Sequence, residues 1–330
     1  MIKKRIISAF NHTEALISAG SLKILGERKG IVGLYFHAIY SDEAEIEQHV
    51  ILPHQKITVE DIRRVVNYYL EREFTFISPD DILADLMPNK HYVLLSFDDG
   101  YANNQLALPI LQEFNIPATF FLSIDHSIEN KCFWPDAVYR EGNKRGKSYK
   151  EIVKIIESLK DKKSNQIENI VIKEFGKSAL TPRNDIDRPF TPAELEGFSR
   201  DPLVYIGNHT CNHAILTNYS ADEVEFEVLS AQEKIYSITG RIPTAISLPN
   251  GNYSDIITRI SFEAGLKIGV TTTRKKNYLP LKFRENELIL LNRFYLMGND
   301  LDAELKQSRS DIQMRTEIKK HFPKLFEMGN

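Results

Sequence analysis

Two short stretches of the chain carry residues that could do chemistry together. Tyr92-Val-Leu-Leu-Ser-Phe-Asp98-Asp99-Gly100 is an apolar run ending in two adjacent carboxylates. Leu203-Val-Tyr-Ile-Gly-Asn-His209-Thr-Cys-Asn-His213 is a second, ending in two imidazoles four residues apart. A buried strand that delivers ionisable groups at its carboxyl end is how α/β enzymes build sites. Adjacent carboxylates at such a place repel unless a cation neutralises one of them. One carboxylate and two histidines make a three-ligand set that leaves a divalent metal an open position. Asp99, His209 and His213 are then the candidate ligands, and Asp98 is free for proton transfer. Taken alone, Asp-Gly is a common turn dipeptide, and two histidines on a helix are unremarkable. The apolar strands ahead of both motifs favour the reading as a metal-dependent hydrolase. Cys211, two residues from each histidine, should point away from them and belongs to the core.

The elements that must position these groups are strands alternating with helices. Candidate strands are 31–37, 74–77, 92–97, 118–124, 203–207, 244–248, 267–272 and 288–292. Thr58 with Asp61, Thr191-Pro192 with Glu194, and Ser220 with Glu223 mark helix starts as capping boxes. Gly240 marks the end of a helix over 221–238. This alternation predicts an α/β fold, a closed or nearly closed (β/α)7–8 barrel. In a barrel every strand's carboxyl end opens on one face, so His37, ending the run Gly30-Ile-Val-Gly-Leu-Tyr-Phe, joins the same site as a candidate general acid. The expected organisation is a helical extension at 1–29, a barrel over 30–299 interrupted by a helical insertion at 126–190, and a helical tail at 300–330.

With 330 residues the chain can fill one large barrel, and a net charge of −3 demands no nucleic-acid partner. Two cysteines suit a reducing compartment. The opening Met1-Ile-Lys-Lys-Arg-Ile-Ile-Ser-Ala-Phe10 breaks too soon for a signal peptide, and no run is long enough to span a bilayer. The expectation is a cytoplasmic protein, with residues 1–29 available for peripheral contact with a membrane surface.

Ser96-Phe97-Asp98-Asp99-Gly100 resembles the Thr-Phe-Asp-Asp-Gly motif of polysaccharide deacetylases, the NodB-homology or carbohydrate esterase family four proteins. His209-Thr210-Cys211-Asn212-His213 is similar to that family's His-Ser/Thr-x-x-His motif. The resemblance covers roughly residues 30–295. It implies a distorted (β/α) barrel of NodB type that uses a divalent metal to remove an acetyl group from a sugar. The metal is usually zinc, with cobalt, nickel or iron acceptable to the same donors. Carried over residue by residue, Asp98 is the catalytic base, Asp99, His209 and His213 are the metal ligands, and the Tyr101 backbone N–H is the oxyanion donor. The partner implied is an acetylated carbohydrate.

Two family features are displaced. The third motif, Arg-x-Pro-Phe/Tyr, whose arginine orients the base, reads here Ser247-Leu248-Pro249-Asn250-Gly251. Pro249 and Asn250 remain as substrate-side candidates, while Arg188 and Arg293 are both available as the missing arginine. The carboxyl-terminal histidine motif is absent, since Leu288-Ile-Leu-Leu-Asn292 ends in asparagine. Some relatives look circularly permuted, with that strand first, and Tyr35-Phe36-His37-Ala38-Ile39 resembles their opening motif. That assigns the general-acid role to His37. Trp134, in Phe133-Trp134-Pro135-Asp136, is either a platform for a sugar face or a core aromatic. Two alternatives stay open: an inactive carbohydrate-binding relative, and an amide hydrolase of the same fold acting on a non-carbohydrate.

Overall fold

The computed structural model describes residues 13–312 apart from 15, 19, 25, 54, 283 and 284. The expected segments 1–29 and 300–330 therefore lie partly outside the described residues. The strands are β1 (Gly30–Phe36), β2 (Thr75–Phe76), β3 (His91–Phe97), β4 (Ala118–Leu122), β5 (Val204–Asn208), β6 (Ala245–Ser247), β7 (Ile268–Val270), β8 (Asn277–Tyr278), β9 (Ile289–Leu291) and β10 (Arg293–Tyr295). They run in the order β10-β1-β3-β4-β5-β6-β7-β9, all neighbours parallel, with β2 beside β3 and β8 antiparallel to β1.

The two ends of that path, β9 and β10, are separated by the single residue Asn292. One chain segment therefore hydrogen-bonds β7 with its first half and β1 with its second, which closes the sheet into a barrel. The sequence suggested one strand over 288–292. The break at Asn292 is stitched by Asn277, whose side-chain oxygen accepts from the Asn292 N–H at 2.7 Å while its amide donates to Asn292 O at 2.9 Å. Gly33 permits the seam to pack. A Cβ there would sit 2.6 Å from Asn292 O and 2.9 Å from Arg293 Cγ.

Side chains alternate between the two faces of a strand, and each face is buried here for its own reason. Val93, Leu95 and Phe97 pack outward with Val32, Leu34 and Phe36 against the surrounding helices, including Ile62, Val65, Val66 and Tyr69. Tyr92 and Leu94 point inward with Ile31, Phe121, Ala245, Ile268 and Val270. The period of two then dictates the mouth. Counting upward on the inner face of β1 leads through Gly33 and Tyr35 to His37, and on β3 through Leu94 and Ser96 to Asp98. The pairing Phe36↔Phe97 sets those two ends level.

The three predicted capping boxes are formed at Thr58, Thr191 and Ser220. Between β4 and β5 the chain builds α1 (Trp134–Lys144), α2 (Tyr149–Leu159) and α3 (Ser164–Phe175). These bury their own apolar cluster, including Val138, Ile152, Ile156, Ile167 and Val171. The long helix α4 (Ala221–Thr239) follows β5 and ends at Gly240 in the left-handed conformation. Among the described residues no helix is long and apolar enough to cross a membrane.

Candidate active site

Asp98 and Asp99 leave the end of β3 in different directions because the chain turns there: Asp99 has φ 75° and Gly100 φ 92°. On the opposite wall, the loop leaving β5 carries Thr210 at φ 65° and His213 at φ 48°. A β-branched residue and a histidine held in the left-handed region cost energy that the surroundings must offset. Glu227 of α4 accepts from the Cys211 and Asn212 N–H groups at 3.0 and 3.2 Å, and Asn208 Oδ1 accepts from Thr210 N–H at 2.7 Å. The loop is over-determined, and both imidazoles are brought to Asp99.

Asp99 Oδ1 lies 3.4 Å from Nε2 of His209 and 3.4 Å from Nε2 of His213. The three ligand atoms all lie within 4.8 Å of one another. Asp99 Oδ1 is buried and has no hydrogen-bond partner among the described residues. His209 Nδ1 is 2.7 Å from Ser247 O, so a proton sits on Nδ1 and Nε2 is the ring nitrogen that faces Asp99. Burial pushes His213 down to about 4, which keeps it neutral, as a ligand must be. Burial alone would raise Asp99, but the neighbouring His213, His209 and His37 outweigh it and hold the carboxyl ionised. An orphaned carboxylate oxygen facing two imidazole nitrogens is a donor set that fits a divalent ion.

Asp98 is the opposite case, buried and fully partnered. Arg293 donates to it through both terminal nitrogens, each at 2.7 Å, and Ser247 Oγ donates to Oδ2 at 2.9 Å. Burial acts to raise the Asp98 pKa, and the charge and hydrogen bonds of Arg293 more than reverse it. Arg293 is wholly buried. It is held by Ser96 Oγ and Thr271 O, with its guanidinium 4.4 Å from the centre of the Tyr35 ring. Of the two candidate arginines, Arg293 is the one in contact with Asp98. Arg188 is a correction: its guanidinium is taken by Glu194 at 2.7 and 2.9 Å and by Asp185 at 2.6 Å. Only its backbone serves the site, where Arg188 O accepts from Ala102 N–H.

His37 is half-buried at the end of β1, with Nδ1 3.4 Å from Gln55 Oε1. Tyr101 is pinned on both sides by Ala102 N–H to Arg188 O and Phe190 N–H to Gly100 O, and neither bond uses the Tyr101 N–H. Its hydroxyl donates to Asp136 at 2.6 Å. Trp134 is a second correction. It is 7% exposed and belongs to the apolar cluster of the insertion helices, so its face is not presented to a ligand. Pro249 is buried and Asn250 exposed just beyond β6, with Asn250 left-handed at φ 60°. Cys211 is buried, outside the ligand group, with Sγ 3.8 Å from Lys234 Nζ.

Sequence reading passed over Ser247, Gln55 and Asp136. One signal was available for Arg293: an arginine inside the apolar run Leu288–Tyr295 has to find a buried carboxylate.

The polysaccharide deacetylase family profile matches residues 86–269, more than half of the chain. No curated protein sequence matches it. Solved structures with a similar fold include the Streptococcus pyogenes deacetylase PplD in complex with acetate, 19% identical, TM-score 0.57, covering 86% of this chain and 99% of that one. BC0361, a polysaccharide deacetylase from Bacillus cereus, is 15% identical with TM-score 0.57, covering 86% and 70%. IcaB from Ammonifex degensii is 12% identical with TM-score 0.54, covering 86% and 99%. Matched by that profile over more than half of its length, the chain belongs to the polysaccharide deacetylase family.

Proposed function

We propose that this protein is a metal-dependent hydrolase that removes an acetyl group from an N-acetylated (or O-acetylated) sugar in a polysaccharide or glycan precursor. The observation that carries the reading is the contrast between two adjacent buried carboxylates: Asp98 neutralised by Arg293, Asp99 left with a bare oxygen toward His209 and His213. Asp99, His209 and His213 would hold the ion, and zinc suits that donor set. A divalent ion there supplies Lewis-acid polarisation of the acyl carbonyl and of the attacking water.

The remaining work falls to the chain's own residues. Asp98, kept ionised by Arg293, takes the proton of the water as it attacks. The Tyr101 N–H is the backbone donor toward the developing oxyanion. His37 gives its proton to the departing amine, without which an amide C–N bond breaks poorly. Buried free thiols at Cys132 and Cys211 suit a cytoplasmic setting, so sugar nucleotides and lipid-linked precursors head the candidate substrates.

The test pairs elemental analysis with acetate release, on the wild type and His209→Ala. The expected result is about one equivalent of transition metal and acetate from N-acetylglucosamine oligomers or sugar nucleotides, both lost in the variant. A wild type that takes up no zinc, cobalt, nickel or iron on reconstitution overturns the reading. Metal bound without acetate release from any acetylated sugar assigns the site to a non-carbohydrate amide or to binding alone.

A further inference from the structure

Gln55 sits in the loop ahead of Thr58, 5% exposed, at the seam where β1 meets β10. Its amide makes four contacts. Nε2 lies 2.7 Å from Leu296 O and 3.2 Å from Tyr35 O, one carbonyl from each side of the seam. Oε1 accepts from the His37 backbone N–H at 2.8 Å and stands 3.4 Å from His37 Nδ1. An amide can be placed either way round, but here the partners decide it. Two carbonyls can face only the NH2 end, and a backbone N–H can face only the oxygen. An acceptor is therefore held against Nδ1. The rings of Tyr35 and Tyr295, 5.7 and 5.5 Å from the imidazole centre, limit its rotation.

We infer that Gln55 is a positioning residue that fixes His37 as the Nδ1–H tautomer, leaving Nε2 as the nitrogen that exchanges protons at the site. A free amide in this place could donate to Nδ1 and impose the other tautomer, and the wrong tautomer disables a catalytic histidine. Here both amide hydrogens are committed to Leu296 O and Tyr35 O, so only the oxygen is offered. Unlike a carboxylate, this acceptor orients the ring while remaining neutral. The kinetic consequence rests on the deacetylase reading above; the tautomer does not.

The test is a long-range 15N correlation spectrum of the full-length chain, with the His37 ring signals identified by their loss in His37→Gln. The expected spectrum of the neutral ring has a protonated-type Nδ1 and an unprotonated-type Nε2. Gln55→Met, close in shape but without an acceptor, should populate the Nε2–H form, while Gln55→Glu should retain Nδ1–H. On an acetylated substrate, Gln55→Met should lower kcat by about 10²-fold or more with KM little changed. An Nε2–H tautomer in the wild type overturns the inference before any variant is made. So does a Gln55→Met protein with an unchanged tautomer. The expected tautomers without acetate release would sink the deacetylase reading and leave the assignment of Gln55 standing.

Discussion

The barrel has an ionic network at each end, partly exposed at one and buried at the other, and they are built on opposite terms. At the amino-terminal end of the strands, Glu27 accepts from Lys276 Nζ at 3.0 Å through one oxygen and from Arg309 at 2.6 and 2.9 Å through the other. Asp311 completes the set, 3.3 Å from Lys276 and accepting from Arg28 N–H and Tyr278 OH. Two carboxylates meet two cations, and every oxygen of Glu27 and Asp311 has a partner. At the carboxyl-terminal end, two carboxylates meet one permanent cation. Arg293 satisfies Asp98 and nothing satisfies Asp99 Oδ1. The first network is balanced and joins segments distant in the sequence; the second is one cation short. The candidate site thus lies where compensation is incomplete.

That contrast can be broken from either side. The largest effect should come from Asp98→Asn, which removes the base and leaves the metal donors in place. Turnover should fall by about 10²–10⁴ with metal content unchanged, and near-normal turnover would mean Asp98 is not the base. Next is Arg293→Met. It strands a buried charge and should cost roughly 3–5 kcal/mol in denaturant unfolding. With Arg293 gone, burial is left to raise Asp98, so the acid limb of the rate profile should move to higher pH. An unmoved limb would detach Arg293 from the base. At the other end, Lys276→Met should cost about 1–3 kcal/mol, because Glu27 keeps Arg309. Metal content and turnover should not change, and a loss of either would show the two ends to be coupled.

The smallest effect concerns a third carboxylate at the mouth. Asp136 has hydrogen-bond donors in Leu52 N–H and Tyr101 OH, and burial pushes it up to about 7. The unfolded chain ionises this group near its ordinary value of 3.8, whereas the folded one retains the proton until about 7. Between those limits the folded state binds more protons, so its contribution to stability declines as pH rises and levels off above. Asp136→Asn should flatten the melting temperature across that window relative to wild type. Parallel profiles for the two proteins would mean Asp136 ionises without penalty.

Much of this was legible in the chain itself. Apolar runs announced β1 to β7 and β9, though not β8 or β10, and capping boxes at Thr58, Thr191 and Ser220 announced helix starts, because both signals are local and obey fixed periods. The motifs around Asp98-Asp99 and His209–His213 were visible for the same reason: each is contiguous, and each follows the strand that carries it. The common opening of barrel strands at their carboxyl ends also brought His37 to the face that carries Asp98.

What the chain could not disclose was every pairing across the barrel. Arg188 and Arg293 were equal candidates for the base's partner, and Trp134 an equal candidate for platform or core. Choosing between them needs the register of β10 on β1, the break at Asn292 and the packing of α1 against α2 and α3. Gln55 carries no motif at all, and its role exists only where the barrel closes. Sequence by itself determined which groups each strand delivers, since alternation and apolar patterning are properties of short segments. Tertiary structure alone decided which charge meets which, because an ion pair depends on separations that no local period encodes.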